Sequence, residues 1–245
     1  MSEDEWLACS SVWDMFGRFR FEASPRKLRL FAVACCRCSR RLLSNGDHRR
    51  AVDLAERFAD GLATEEELSD AFQLAKKLVS ELRAGKTERE IRRWAEAAAV
   101  LHATAPPDRG PTAAAETGWH IARAATSQDV DLEMASLLRD IVGNPFRPLS
   151  RLRPPDPPWL TPKVIAALGT WPQIPDSWFN PSWLTSTVLA LAEGIYAERA
   201  FDRLPILADA LQDAGCENPD ILDHCREPGS HVRGCWVLDL LTGRT

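Results

Sequence analysis

The chain has 245 residues, 45% of them hydrophobic, enough to fill a sizeable core, which excludes a disordered tail or a mini-protein that needs covalent staples. The opening MSEDEW lacks the basic flank and apolar run of a signal peptide, and no apolar stretch of about 18 residues occurs, so a cytoplasmic protein with no membrane partner is expected. The net charge of −5 is unevenly spread: between 18 and 50, Arg18, Arg20, Arg26, Lys27, Arg29, Arg37, Arg40, Arg41, Arg49 and Arg50 face only Glu22 and Asp47. Such asymmetry marks either a nucleic-acid or acidic-partner surface or a segment neutralised by the acidic remainder, and the acidic total favours the second.

In chain order, the first clear helix start is Ser24 with Pro25, an N-cap followed by the residue that tolerates a missing N–H. Leu28, Phe31, Cys35, Cys38 and Leu42 then recur at steps of three and four, which predicts a buried stripe, with Arg26, Arg29, Arg37 and Arg40 on the opposite side. The run ACCRC thus falls on an amphipathic helix, with Cys36 toward its flank. Asp47 can cap a helix running to Gly61, and TEEE from Thr64 and TERE from Thr87 both match the capping box. Behind these starts, Leu68, Phe72, Ala75, Leu78 and Leu82, then Ile91, Trp94, Ala98 and Leu101, keep helical spacing.

APPDRGP at 105–111 breaks the pattern, and a helical stretch follows from about Thr112 to Val142. Ten of the seventeen prolines then fall between Gly143 and Ser182, a density that forbids continuous helix or central strand. PPWLTPKVIAAL from Pro157 and NPSWLTSTVLALA from Asn180 form a local repeat, each an anchoring Trp-Leu and a Thr that caps a helix. Trp159, Trp171, Trp178 and Trp183 in this stretch read as anchors to the helical core.

Further on, Asp202 can cap a helix with Phe201 and Ile206 at the positions of a hydrophobic staple. Gly215 ends it in a Schellman arrangement that would pack Cys216 back on Leu211. Asn218 and Pro219 start the next helix, PDILDHCR. The expected fold is mostly α, a multi-helical bundle with a proline-rich irregular connection. It divides into an N-terminal helical bundle at 1–105, a helical segment at 106–142, the proline and tryptophan-rich connection at 143–182 and a C-terminal helical segment at 183–245 that packs with the N-terminal part.

The seven cysteines, at 9, 35, 36, 38, 216, 225 and 235, are an odd set and a poor disulfide framework, which fits a reducing compartment. The strongest cluster of ligand-capable residues is Cys216, His224, Cys225, His231 and Cys235. A structural zinc wants about four such donors in a tetrahedron; were residues 231 onward helical, His231 and Cys235 would share a face, and Cys216, Cys225, His231 and Cys235 are the metal candidates. No strict zinc-finger spacing is present, and a free cysteine is also among the most buried residue types. A cysteine nucleophile activated by His231 is the enzymatic alternative, but no orienting third group or oxyanion donors are identifiable from sequence. Nucleotide-binding, serine-hydrolase, zinc-protease and calcium-loop motifs are missing.

EWLAC at 5–9, RKLRLFAVACCR at 26–37, AERFADGLATEEEL at 55–68, LLRDIVGNPFRP at 137–148 and the long run at 200–243 containing HCREPGSHVRGCWVLDLLTG resemble members of an abundant, uncharacterised family of bacterial proteins. The resemblance implies that these pieces form one recurrent unit and that the first Trp-Leu-Thr copy is an insertion. It implies no activity and no catalytic residues. The expectation that results is a non-enzymatic protein-interaction module with Arg26, Arg29, Arg37, Arg40, Arg233 and Trp236 as partner-binding candidates. The alternatives are a structural-zinc protein using the C-terminal Cys/His cluster and a nucleic-acid binder using residues 18–50; apart from that zinc, no cofactor is expected.

Overall fold

The computed structural model describes residues 1–19, 23–38, 46–82, 87–107, 116–117, 129–147 and 179–244. Among them every regular element is helical and no strand occurs, so the fold is mostly α. Arg40, Leu42, His120, Trp159, Trp171, Trp178 and the first Trp-Leu-Thr copy lie outside the described residues, with most of the proline-rich stretch. The chain divides into two compact units, one comprising Met1–Gly143 and Pro228–Trp236, the other Asn144–Glu227 and Val237–Arg244.

The first unit contains α1 (Glu3–Ala8), α2 (Val12–Phe19), α3 (Pro25–Cys38), α4 (Gly46–Ala59), α5 (Glu65–Glu81), α6 (Glu88–Ala103) and α7 (Asp129–Val142). Local chemistry starts several of them, at Ser24, Thr64 and Thr87 as read from the sequence. Thr64 and Thr87 both form capping boxes with Glu67 and Glu90, Ser2 forms a third with Glu5, and the Ser24 hydroxyl accepts from the Lys27 N–H at 3.3 Å. Asp47 sits inside the first turn of α4, paired with Arg50, and does not precede it as a cap.

α3 is the organising element, because it packs against α4, α6 and α7 at once. Every residue from Leu28 to Cys36 is buried, so this helix is enclosed on all sides and not amphipathic as its spacing suggested. Arg29 shows how a charge survives there. Its guanidinium donates to the carbonyls of Ala103 at 2.9 Å and Ala105 at 2.8 Å and lies 5.1 Å over the Phe58 ring. The orphan acceptors at the end of α6 thereby gain a cationic partner, while burial pulls the guanidinium down from 12.5 to about 10.

The second unit contains α8 (Ser186–Glu198), α9 (Leu204–Asp213) and α10 (Pro219–Arg226), and α11 (Trp236–Thr242) runs into it from Val237 onward. Thr185 and Asn218 cap α8 and α10 through the Val188 and Ile221 N–H groups, as their sequence contexts predicted. Trp183 is buried, its indole N–H donating to the Gly215 carbonyl at 3.2 Å. Asp202 does not cap α9: residues 201–203 form a short 3-10 turn, the N-cap is Arg203 without a side-chain bond, and Ile206 is exposed where a staple would need it covered. The end of α9 does follow the Schellman expectation, with the Cys216 N–H bonded to the Leu211 carbonyl at 2.9 Å and both side chains buried.

Candidate metal centre

The stretch HVRGC, which precedes α11, forms a turn and not a helix. α11 begins only at Trp236, so His231 and Cys235 do not meet by helical spacing. The Cys235 N–H bonds to the Val232 carbonyl at 3.1 Å and Gly234 has φ +93°, the left-handed backbone that the third residue of a type II turn requires. A Cβ at Gly234 would also lie 3.0 Å from Leu30 Cδ1 and 3.2 Å from Leu30 Cβ, so glycine is demanded by both conformation and space. The turn is seated directly on α3.

Asp140, in the last turn of α7, is the residue that sequence reading missed. It is buried, and its position at a helix C-terminus puts a carboxylate where the backbone already carries partial negative charge. Three neighbouring donors offset this. The Val232 N–H donates to Oδ2 at 2.9 Å, His231 Nδ1 stands 2.7 Å from Oδ1, and Lys27 Nζ donates to the adjacent Ile141 carbonyl at 2.9 Å. With its proton on Nδ1, His231 donates to this carboxylate; with the proton on Nε2, the Nδ1 lone pair and the carboxylate face each other and a cation between them would take the proton's place.

A carboxylate oxygen of Asp140, a ring nitrogen of His231 and the Cys235 sulfur all lie within 4.8 Å of one another inside the first unit. Asp140 and Cys235 are buried and the His231 side chain is 10% exposed. Such a group can hold a divalent cation of the zinc class, because thiolate and imidazole select borderline-soft ions over magnesium or calcium. The same three residues also stand in the order of nucleophile, base and orienter. Cys235, however, has no exposed surface, so no substrate reaches its sulfur from solvent.

Of the four metal candidates read from the sequence, His231 and Cys235 come together in this unit. Cys216 and Cys225 belong to the second unit and are buried there, on the closing turn after α9 and on α10, and His224 is half-buried on the same α10. Burial raises the Cys216 thiol, partly offset by a hydrogen bond from the Asn218 backbone. Among the described residues, the cysteines of α3 belong to no such group of metal donors. Burial foremost pushes the Cys35 and Cys36 thiols up, with the neighbouring Cys38 adding to it, which makes both inert.

The partner candidates among the described residues, Arg26, Arg29, Arg37, Arg233 and Trp236, have contacts within the first unit. Arg26 binds Asp60 at 3.0 Å, Arg37 binds Glu56 and, at 2.6 Å, Asp53, and Arg233 lies 3.3 Å from Glu56 and 3.7 Å from Asp60. Arg29 is enclosed as described, and Trp236 packs its indole onto Gly143, where a Cβ would lie 3.0 Å from the ring. Asp53 and Glu56 on α4, and Asp60 just after it, supply the carboxylates that meet these arginines. Comparison with family models, with curated proteins and with solved structures gave no match. No helix among the described residues is long and apolar enough to cross a membrane.

Proposed function

We propose that this protein is a non-enzymatic helical scaffold whose C-terminal turn is fastened by a structural zinc ion held by His231, Cys235 and Asp140. The observation that carries the reading is the convergence of one carboxylate, one imidazole and one thiol within 4.8 Å at a buried turn. Three protein donors leave the fourth position of a tetrahedral ion to water or a further ligand. The full burial of Cys235 weighs against a cysteine-dependent enzyme, and the pairing of Arg26, Arg37 and Arg233 with carboxylates weighs against a nucleic-acid surface built on them. All seven cysteines are unbridged, which supports a reducing, cytoplasmic setting.

The test is elemental analysis of protein purified without a histidine tag. About one equivalent of zinc is expected in the wild type and in Cys216→Ala, with loss in His231→Ala and Cys235→Ala. X-ray absorption should give a coordination sphere of nitrogen and oxygen with a single sulfur. Zinc below about a tenth of an equivalent after reconstitution, or a sphere of two or more sulfurs, would overturn the assignment.

A further inference from the structure

The turn that presents the metal ligands also carries, between them, the third cation of a buried charge network. His231 and Cys235 face Asp140, whereas Arg233 reaches the other way, to Glu56 on α4 at 3.3 Å and to Asp60 just after it at 3.7 Å. The Glu56 and Asp60 side chains are 3% and 6% exposed, and with Asp53 they present three carboxylates to Arg26, Arg37 and Arg233. The Asp53 side chain is largely exposed, so the enclosed carboxylates are Glu56 and Asp60. Without Arg233, Glu56 keeps Arg37 and Asp60 keeps Arg26, but each buried carboxylate loses a second guanidinium beside it.

Between the two anchor points the backbone has little freedom. The bond from Cys235 to Val232 closes the turn, the Val232 N–H is fixed on Asp140, and Gly234 is wedged against Leu30 and Ile141. A shift of His231 and Cys235 therefore displaces Arg233 as well. Resting on the metal reading above, we infer that Arg233 is a positioning residue for the metal centre: its seating on Glu56 and Asp60 holds the turn in the ligating shape, and metal binding in return holds α4 to that turn. Because coupling between two sites is reciprocal, occupancy of either one strengthens the other by the same factor.

Two measurements test this. In the wild-type protein, chelation of zinc should raise amide hydrogen exchange in the turn at 231–235 and, together with it, in the end of α4 around Glu56–Asp60. A rise confined to the turn would overturn the coupling. In Arg233→Met, zinc affinity measured by competition with a chromophoric chelator should fall about tenfold, with unchanged stoichiometry at saturation. In a Glu56→Gln/Asp60→Asn background the same substitution should have little further effect, since its partners are already neutral. Affinity equal to wild type in Arg233→Met would overturn the inference while leaving the metal site intact. A wild-type protein that binds no zinc would instead overturn the reading beneath it.

Discussion

Two stretches of the first unit, ACCRC on α3 and HVRGC before α11, set cysteines among basic residues, and the backbone gives them opposite chemistry. On α3 a continuous helix carries Cys35 and Cys36 into a packed interior, where desolvation keeps both as thiols. At 231–235 a turn breaks the helical register and brings Cys235 to the same point as an imidazole and a carboxylate. Neighbours in sequence matter less than whether the chain bends. A cysteine within a helix shares its surroundings with a core, while one at a tight turn can meet donors from elsewhere.

The turn is where this contrast breaks most easily. Gly234→Ala combines a left-handed residue with a contact at 3.0 Å against Leu30, and should destabilise the protein by about 3 kcal/mol in urea unfolding. Gly229→Ala, where a Cβ meets nothing within 4 Å, should be near neutral in the same assay. An equal loss for both would show that the turn does not depend on its glycine.

Metal removal comes next. With free zinc at about 100 times its dissociation constant, chelation should lower unfolding stability by about 2.7 kcal/mol. That difference between loaded and chelated protein should vanish in Cys235→Ala and persist in Cys36→Ala, whose cost is packing alone. If Cys36→Ala abolished it, the two stretches would not differ in kind.

On the helical side, Arg29→Met removes the donors to Ala103 and Ala105 and should cost about 2 kcal/mol, measured by urea unfolding, while leaving zinc content unchanged.

The smallest expected effect is a pH dependence from His48, also buried, on α4. Among the described residues neither ring nitrogen has a hydrogen-bond partner, and desolvation lowers its protonation below the ordinary 6.5, with Asp47 opposing. Below 6.5 the unfolded chain therefore binds a proton that the folded chain resists, so this contribution is complete above 6.5 and is lost as the pH falls beneath it. Urea midpoints compared between pH 7.5 and a value just below 6.5 should drop more for the wild type than for His48→Leu, as the imidazole's shift requires. Equal drops would exclude it.

The elements that could be read in advance share one property, which is that their cause lies within about four residues. Ser24, Thr64, Thr87, Thr185 and Asn218 are caps in the structure because each satisfies an N–H a few positions on. Asp202 failed because a 3-10 turn intervened, a competing local geometry that the pattern does not distinguish. The periodicity of α3 identified its buried stripe but not the enclosure of Arg29, which depends on a helix end 74 residues away.

The site divides in the same way. Sequence by itself selected His231 and Cys235 as ligand-capable neighbours, on a helical spacing that the structure replaces with a turn at Gly234. It also grouped them with Cys216 and Cys225, which lie in the other unit. Only the tertiary structure brought in Asp140, 91 residues from His231 and indistinguishable in the chain from any acid on a helix face. It likewise paired Arg26 and Arg37 with Asp60 and Glu56, since which carboxylates meet α3 is fixed by the packing of whole helices. Local hydrogen bonding is written in short stretches of sequence; electrostatic partnership between distant residues exists only once the core has assembled.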